Sequence, residues 1–494
     1  MRQIRENDGM KNSSNQRYPF DQASPAQKKA GLSGSRSQKA YKRRGNKRAG
    51  LRLPGLATGL VMALLLIAGI YVLFSGSWLK LINALIPGET ALTPGQTGLT
   101  PTAADTLSPA PTLTPAASPT PTPEPEIRIT LACVGDIILH QSVIDGGLTA
   151  DGTYNYDPVF QYVKPILGEA DLALANYEGT LAGSPYSGYP FFCAPDAIAD
   201  ALAASGFQAV WTANNHSIDK GLKGLIRTAE VFRDKGFLVI GTRPDETGRT
   251  DAVADVRGIK IGLMAYTFET IGTPDQKTLN GINLPDGADP LIDSFNPYRD
   301  DAMARDLAAL LDRAAALRKE GAEIICLSLH WGDEYKTRSN AYQRQMAQQL
   351  ADAGIELIVG HHPHVLEEID VLTSATTGKQ TLVFYSISNF LHNMDFDTHG
   401  TSGKAQDAVI ARIYLLKDSS GVRVEKAEYI PTYVVRVPKG NGKQHLIVPV
   451  LAALDDPASF QTTTQEMTAS LERITAILGD SLGTAELPVT QAAR

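Results

Sequence analysis

ELIVGHHPHVLE, residues 356–367, ends a short apolar run in a bend that carries His361, His362 and His364, a third of the chain's nine histidines. Leu357-Ile358-Val359 reads as a buried strand closed by Gly360. Polar groups directly beyond a strand's carboxyl end lie where α/β sheets bind ligands, because the loops converge there on a rigid frame. The same arrangement recurs along the chain. IRITLACV runs into Gly135-Asp136, ADLALAN into Asn176-Tyr177-Glu178, and FQAVWTA into Asn214-Asn215-His216. EIICLSL leads to His330-Trp331-Gly332-Asp333-Glu334, TLVFYSI to Ser388-Asn389-Phe390, and KIGLMAY reads as one more strand. Six such strand ends in one sheet system would form a single rim.

Helical stretches lie between several of these strands, at 195–205, 219–235, 301–320 and 340–353. In the third, Ala302, Leu307, Leu310, Leu311, Ala314 and Leu317 recur at helical spacing. Residues 407–434 read as a strand pair, and a last amphipathic helix is expected over 459–478 with Ser459 as its N-cap. The fold class is therefore α/β, layered, with a main domain over 127–453 and a C-terminal helix and tail over 454–494.

The first quarter of the chain has a different texture. Residues 1–52 hold 14 Lys/Arg against 3 Asp/Glu, whereas the whole chain of 494 residues carries −7. They are polar and poor in apolar residues, which predicts a basic disordered segment. From Leu53 to Leu79 there is no charged residue, and LATGLVMALLLIAGIYVLF is long enough to cross a hydrocarbon layer of roughly 30 Å as a helix. The basic cluster before it predicts a cytoplasmic N-terminus and an uncleaved signal-anchor. A membrane, rather than nucleic acid, is thus the partner expected for the basic head. Residues 80–126 follow as a linker; ten Pro and ten Thr fall between Pro87 and Glu126, a composition that stays extended and cannot bury a core. The main domain is then expected outside the cell membrane on a single-pass anchor. Three cysteines make no disulfide framework, and Cys133 and Cys326 sit in apolar strand-like runs where a thiol packs as a small hydrophobe.

Imidazole, carboxylate and amide oxygen together suit a divalent ion such as Mn, Zn or Fe better than an all-oxygen Ca or Mg cage. In His362-Pro363-His364 the rings alternate, so in an extended bend both face one side while His361 points away, toward the groups behind the ligands. Taken singly the residues have plainer readings. Asp136 alone suits a turn or cap, Asn215-His216 a cap on the helix near Asp219, and Trp331 the packing of a wall. His140, His392, His399 and His445 carry no spacing signal.

The ordered set GD, NYE, NNHSIDKG, HWGDEY, GHHPHVLE and YSISNFL resembles the CapA family of capsule or poly-γ-glutamate synthesis proteins, over about residues 128–395. That family is similar in fold to calcineurin-like metallophosphatases. The resemblance implies a four-layer α/β/β/α sandwich with a metallophosphatase-like, divalent-metal site that is hydrolase-like. It implies metal ligation by Asp136, Glu178, Asn215, His330, His362 and His364. His216 would activate or stabilise the reacting group, and Glu334 would be a nearby acid/base or a support to the ligands. Ile138 stands where metallophosphatases place the histidine of Asp-x-His, and Ser388 where the family commonly has glycine. With Ile138 unable to ligate, one tight site is expected from His330, His362, His364, Asn215 and Glu178, with a weaker second ion at Asp136 and Glu178. The partners implied are an anionic surface polymer or its synthesis and export machinery. A polymer-binding or export subunit with a structural metal, and a metallophosphoesterase unrelated to capsule, are the alternatives.

Overall fold

The computed structural model describes residues 126–273, 275–479, 481–483 and 487–492. The basic head, the apolar span and all but the last residue of the linker lie outside the described residues. Within those residues no helix is long and apolar enough to cross a membrane.

The strands that position the site are β1 (Ile127–Ile138), β2 (Leu172–Glu178), β3 (Ala209–Trp211), β4 (Leu238–Ile240), β5 (Ile259–Phe268), β6 (Ile324–His330), β7 (Leu357–His361), β8 (Gln380–Phe384), β9 (Asn389–Leu391), β10 (Asp407–Asp418) and β11 (Gly421–Lys439). The helices are α1 (Ala197–Ala204), α2 (Gly221–Asp234), α3 (Asp300–Lys319), α4 (Ala341–Asp352) and α5 (Thr464–Leu478). In the first sheet β4, β3, β2 and β1 run parallel, and β10 and β11 continue it antiparallel. In the second sheet β5, β6, β7 and β8 run parallel, with an antiparallel strand beside β5 and another beside β8.

The period of two along each strand decides the layering. Ile129, Leu131 and Cys133 of β1 enter a core shared by both sheets, while Ala132 and Val134 enter a core with α1 and α2. Ile324 and Cys326 of β6 enter the shared core, and Ile325, Leu327 and Leu329 pack with α3 and α4. Sheet therefore packs on sheet, with helices on both outer faces. Burial on two faces is why these strands read as continuous apolar runs rather than alternating ones. The helices have local causes as well. Asn340 and Gln343 form a capping box that opens α4. In α3, Asp300 and Asp301 lie at the positive end of the dipole and Arg318 and Lys319 at the negative end.

The chain crosses from the second sheet to the first between β8 and β9, and that crossing abuts the site. β9 pairs with the end of β1. Asp136 N–H donates to Ser388 O at 3.0 Å and Ile387 N–H to Gly360 O at 3.1 Å. Only glycine permits this approach. A Cβ at Gly135 would lie 1.9 Å from Ser388 O, and one at Gly360 would lie 1.9 Å from Tyr385 O.

One expectation for the C-terminal part is corrected. α5 begins at Thr464, not near 459, because Thr463 and Glu466 form the capping box there; Ser459 instead donates its hydroxyl to Asp456 at 2.6 Å in the preceding turn. The tail packs on the main domain. Pro488–Gln491 pairs parallel with β11, and Arg473 and Ser470 of α5 hydrogen-bond Asp407 of β10 at 2.6 and 2.7 Å. A small sheet over residues 270–283 was also not expected from the sequence.

Candidate metal centre

Carboxyl ends of both sheets converge on one cluster. β1 supplies Asp136, which stands beside Asn176 of β2 in register, and Ile138 stands beside Glu178. Asn176 and Glu178 are two apart and so share a face, while Tyr177 turns into the helix-side core. Asn215 and His216 follow β3, His330 ends β6, and the bend after β7 carries His362 and His364. Left-handed backbone at His362 (φ 96°), His364 (φ 57°) and Ser388 (φ 64°) aims these segments inward. Such conformations cost non-glycine residues about 1–2 kcal/mol each and persist where the surroundings hold them.

Asp136 and Glu178 are both fully buried. Asp136 Oδ1 accepts from Asn176 Nδ2 at 2.7 Å, and Oδ2 accepts from His362 N–H at 3.2 Å. His361 Nδ1 lies 3.3 Å from Asp136 Oδ1 and His364 Nδ1 3.5 Å from Oδ2. Glu178 differs, since neither of its oxygens has a hydrogen-bond partner. Instead Oε1 faces the Nε2 atoms of His216, His330 and His364 at 3.9, 3.9 and 4.0 Å. Among the described residues, every ion pair of Asp136 and Glu178 is to a histidine and none to Lys or Arg.

Neighbours set which ring nitrogen is available. Asp219 Oδ2 lies 2.8 Å from His216 Nδ1, and Asn389 Oδ1 lies 2.9 Å from His364 Nδ1. Both partners accept, so each Nδ1 carries a proton and Nε2 is the nitrogen turned toward Glu178, the one left to a metal when the ring is neutral. His330 Nε2 lies 3.0 Å from Asn215 Oδ1. Phe192 stands edge-on to His216 at 4.7 Å between ring centres, and Phe268 lies 4.6 Å from His362, which gives the pocket apolar flanks.

Electrostatics follow from this geometry. Burial would raise the Asp136 carboxyl, but hydrogen bonds from His361 and His364 carry it well below the usual carboxylate range. Glu178 is pushed well above that range by burial and then by the Asp136 charge. Burial lowers His330 strongly and takes His362 down to about 4. For His364 burial is outweighed by Glu178 and Asp136, which bring it up to about 10. Burial would lift Glu334, yet the imidazoles of His362 and His364 hold it below its ordinary value. Glu178 is thus held toward its protonated form beside an ionised Asp136, and a divalent cation between them would favour ionising both.

All eight residues singled out from the sequence come together here. Asp136, Glu178 and His330 form one set that could hold a metal, and Glu334, His362 and His364 form another; within each set the ligand atoms lie within 4.8 Å of one another. The three histidines remain neighbours all the same: His330 and His364 both present Nε2 to Glu178 Oε1, and the rings of His330 and His362 lie 4.9 Å apart. His330 ends a strand and faces back toward β1 and β2, whereas His362 and His364 stand on the bend beyond β7. Glu334, read as an acid/base or supporting group, falls among candidate ligands. His361 lies behind Asp136, with its ring 5.2 Å from Trp211. Trp331 is wall packing, stacked on Tyr385 with Nε1 donating to the Tyr385 carbonyl at 2.9 Å. The roles of Asp219 and Asn389 were missed. A signal existed for Asp219, which stands three residues after His216, one helical turn away.

A family model described as bacterial capsule synthesis protein PGA_cap matches residues 130–394. The capsule biosynthesis protein CapA of Bacillus anthracis is 26% identical over 360 residues, 72% of this chain and 77% of that protein. The PGA biosynthesis protein CapA of Bacillus subtilis (strain 168) is 29% identical over 277 residues, 54% of this chain and 63% of that protein. A probable polyglutamine synthesis accessory protein of Mycobacterium tuberculosis is 27% identical over 213 residues, 41% of this chain and 52% of its own length.

Proposed function

The chain belongs to the bacterial capsule synthesis protein family, and from that premise we propose that it serves the synthesis or export of an anionic surface polymer of the poly-γ-glutamate type through a divalent-metal, hydrolase-like site. In this proposal residues 53–79 anchor the chain in the cell membrane, and the α/β domain works on the outer face as a metallophosphatase-like sandwich. The names of the relatives supply the polymer, and the rim of strand ends supplies the chemistry.

One observation carries the metal reading. Glu178 is a wholly buried carboxylate with no hydrogen-bond partner, ringed by three imidazole Nε2 atoms at 3.9–4.0 Å. Ionised there, the group would cost several kcal/mol unless a cation paired with it. Asp136, Glu178, His330, His362 and His364, with Asn215 beside His330, fit a borderline cation such as Mn, Zn or Fe. Bound there, such an ion would supply Lewis-acid polarisation of a carbonyl or phosphoryl oxygen.

The chain's own residues do the rest. Asp219 keeps the His216 proton on Nδ1, so His216 Nε2 can accept or return a proton at the reacting centre. Asn389 holds His364 in its ligating orientation. Phe192 and Phe268 limit water around the imidazoles. The test is elemental analysis of the purified full chain with a hydrolysis screen against γ-glutamyl polymer and phosphodiesters. Metal with turnover of either class supports the proposal. Retained metal without turnover makes the site structural, and absence of metal after loading with Mn or Zn removes it. Protease added to protoplasts should remove the α/β domain; full protection overturns the proposed topology.

A further inference from the structure

We propose that Arg436 and His392 form an oxyanion subsite beside the strand-end cluster, which takes a carboxylate or phosphate group of the substrate. This rests on the anionic-substrate reading above and deepens it. The period of two places the residues. Arg436 of β11 stands opposite His445 of the antiparallel strand Gly442–Pro449, and Val434 stands opposite Ile447. Val434 and Ile447 enter the helix-side core with Phe390 and Leu391 of β9. Two residues further on the same face, that core ends in Arg436 and His445 rather than in apolar side chains, and past β9 it ends in His392.

Both groups are tied to one residue and still have a donor to spare. Met394 N–H donates to His392 Nδ1 at 2.9 Å, and Arg436 Nη2 donates to the Met394 carbonyl. His392 is fully buried, and burial and then the Arg436 charge hold its ring well below its ordinary value. The ring is therefore neutral with its proton on Nε2. Neither that N–H nor Arg436 Nε–H has a partner, and buried donors require one. The protein's own acids do not supply it. Asp395 is the carboxylate that acts on Arg436, but it is exposed and accepts the Thr398 hydroxyl at 3.0 Å. A guanidinium joined by an imidazole N–H suits a carboxylate or phosphate oxygen.

The subsite adjoins the cluster on two sides. Asn389, which holds His364, donates its Nδ2 to Met394 Sδ at 3.3 Å. His140 stands edge-on to Phe192 at 5.4 Å between ring centres, and Phe192 in turn stands edge-on to His216. His140 and His445 are supports, both tied to Asn393: its N–H donates to His140 Nδ1 at 3.3 Å, and its Oδ1 accepts from His445 Nε2 at 2.8 Å. Arg436 is half-buried, and Lys439 and Lys443, exposed on the turn beyond it, carry the positive charge to the surface. A substrate with an anionic group near its reacting bond can thus be held at Arg436 while that bond lies at the cluster.

The experiment titrates the purified full chain with inorganic phosphate and with glutarate by calorimetry, in chelator and at fixed ionic strength, beside Arg436→Gln and Arg436→Lys. The wild type should bind at one saturable site; preference for phosphate assigns a phosphoryl group to it, and preference for glutarate a carboxylate. Arg436→Gln should bind roughly tenfold or more worse, with its metal content by elemental analysis unchanged. If Arg436→Gln fails to fold, Arg436→Lys decides. A single ammonium cannot serve both the Met394 carbonyl and the anion, so this variant should also bind the anion less well. No saturable binding by the wild type, or wild-type affinity in whichever variant folds, overturns the inference and leaves the metal reading standing. Metal lost together with anion binding makes Arg436 a support of the cluster and overturns it as well. Anion binding by a wild type that holds no metal strikes the metal reading alone.

Discussion

Replacing Glu178 by Gln should raise the stability of the metal-free protein while abolishing most of its stabilisation by metal. In chelator, wild-type Glu178 is buried beside Asp136 with both oxygens unpartnered. A buried polar group left so costs about 1–3 kcal/mol. Glutamine keeps the volume, removes the ionisable group and offers an amide donor to Asp136 or to the facing imidazoles, so a gain of about 1–2 kcal/mol is expected. The pH dependence has a definite sign. The folded-state pKa of Glu178 is raised by burial and by Asp136. Its contribution is therefore fully present below the unfolded value of about 4.3 and is lost as pH rises toward the folded value. The advantage of the variant should widen with pH over that range. With metal at a hundred times its dissociation constant the wild type gains about 2.7 kcal/mol, whereas the variant, lacking an anionic ligand, should gain under about 1. Thermal and urea unfolding of the full chain in chelator and with Mn2+ or Zn2+ measure both effects. A variant less stable than wild type in chelator would show that the protein itself satisfies Glu178. An unchanged metal increment would show that Glu178 is not a ligand.

Gly135→Ala should destabilise the fold by roughly 2–4 kcal/mol, since its Cβ meets Ser388 O and the Asp136–Ser388 hydrogen bond must lengthen; an unchanged urea midpoint would show that the β8–β9 crossing yields freely. Asp219→Asn should leave bound metal unchanged and lower any hydrolytic turnover by about 10²-fold or more, because His216 loses its fixed tautomer; metal lost in parallel would assign Asp219 to the shape of the site. Glu367 lies outside the ligand sets, and burial brings it up to about 8 against the Gln343 amide donating at 2.8 Å. Its stabilisation is present below the unfolded value of about 4.3 and is lost as pH rises through 8. Glu367→Gln should therefore flatten the decline in unfolding midpoint between pH 5 and 8, and an identical decline in both proteins would refute the assignment.

Strands were legible wherever both faces are buried. β1, β6 and β7 show as apolar runs because two cores demand apolar residues on alternate faces, and the polar residue that ends each run lies at or within two residues of the strand's end, where the rim begins. Elements held by tertiary contacts were not legible. Pro488–Gln491 is a strand only because β11 offers it an edge. α5 was placed too early because Ser459 resembles a cap, although Thr463 with Glu466 three residues on carries both halves of a capping box.

At the site, residue type was legible and grouping was not. Histidines and acids at strand ends announce a metal site, but which of them share an ion depends on how far each segment runs beyond its sheet. His330 ends its strand beside Asp136 and Glu178, while three residues past β7 are enough to bring His364 within reach of both Glu178 and Glu334. Spacing within HHPH suggested that both rings face one side, yet that side is chosen by contacts remote in sequence. Asp136 accepts from His362 N–H across 226 positions, and Asn389 holds His364 across 25. Ile138 offers no ligand atom at the end of β1. The backbone bonds at Trp331 and Tyr335 bring the Glu334 carboxylate from another loop to the imidazoles of His362 and His364. A ligand absent from one strand end is therefore not absent from the site, and metal stoichiometry cannot be counted from Asp-x-His alone.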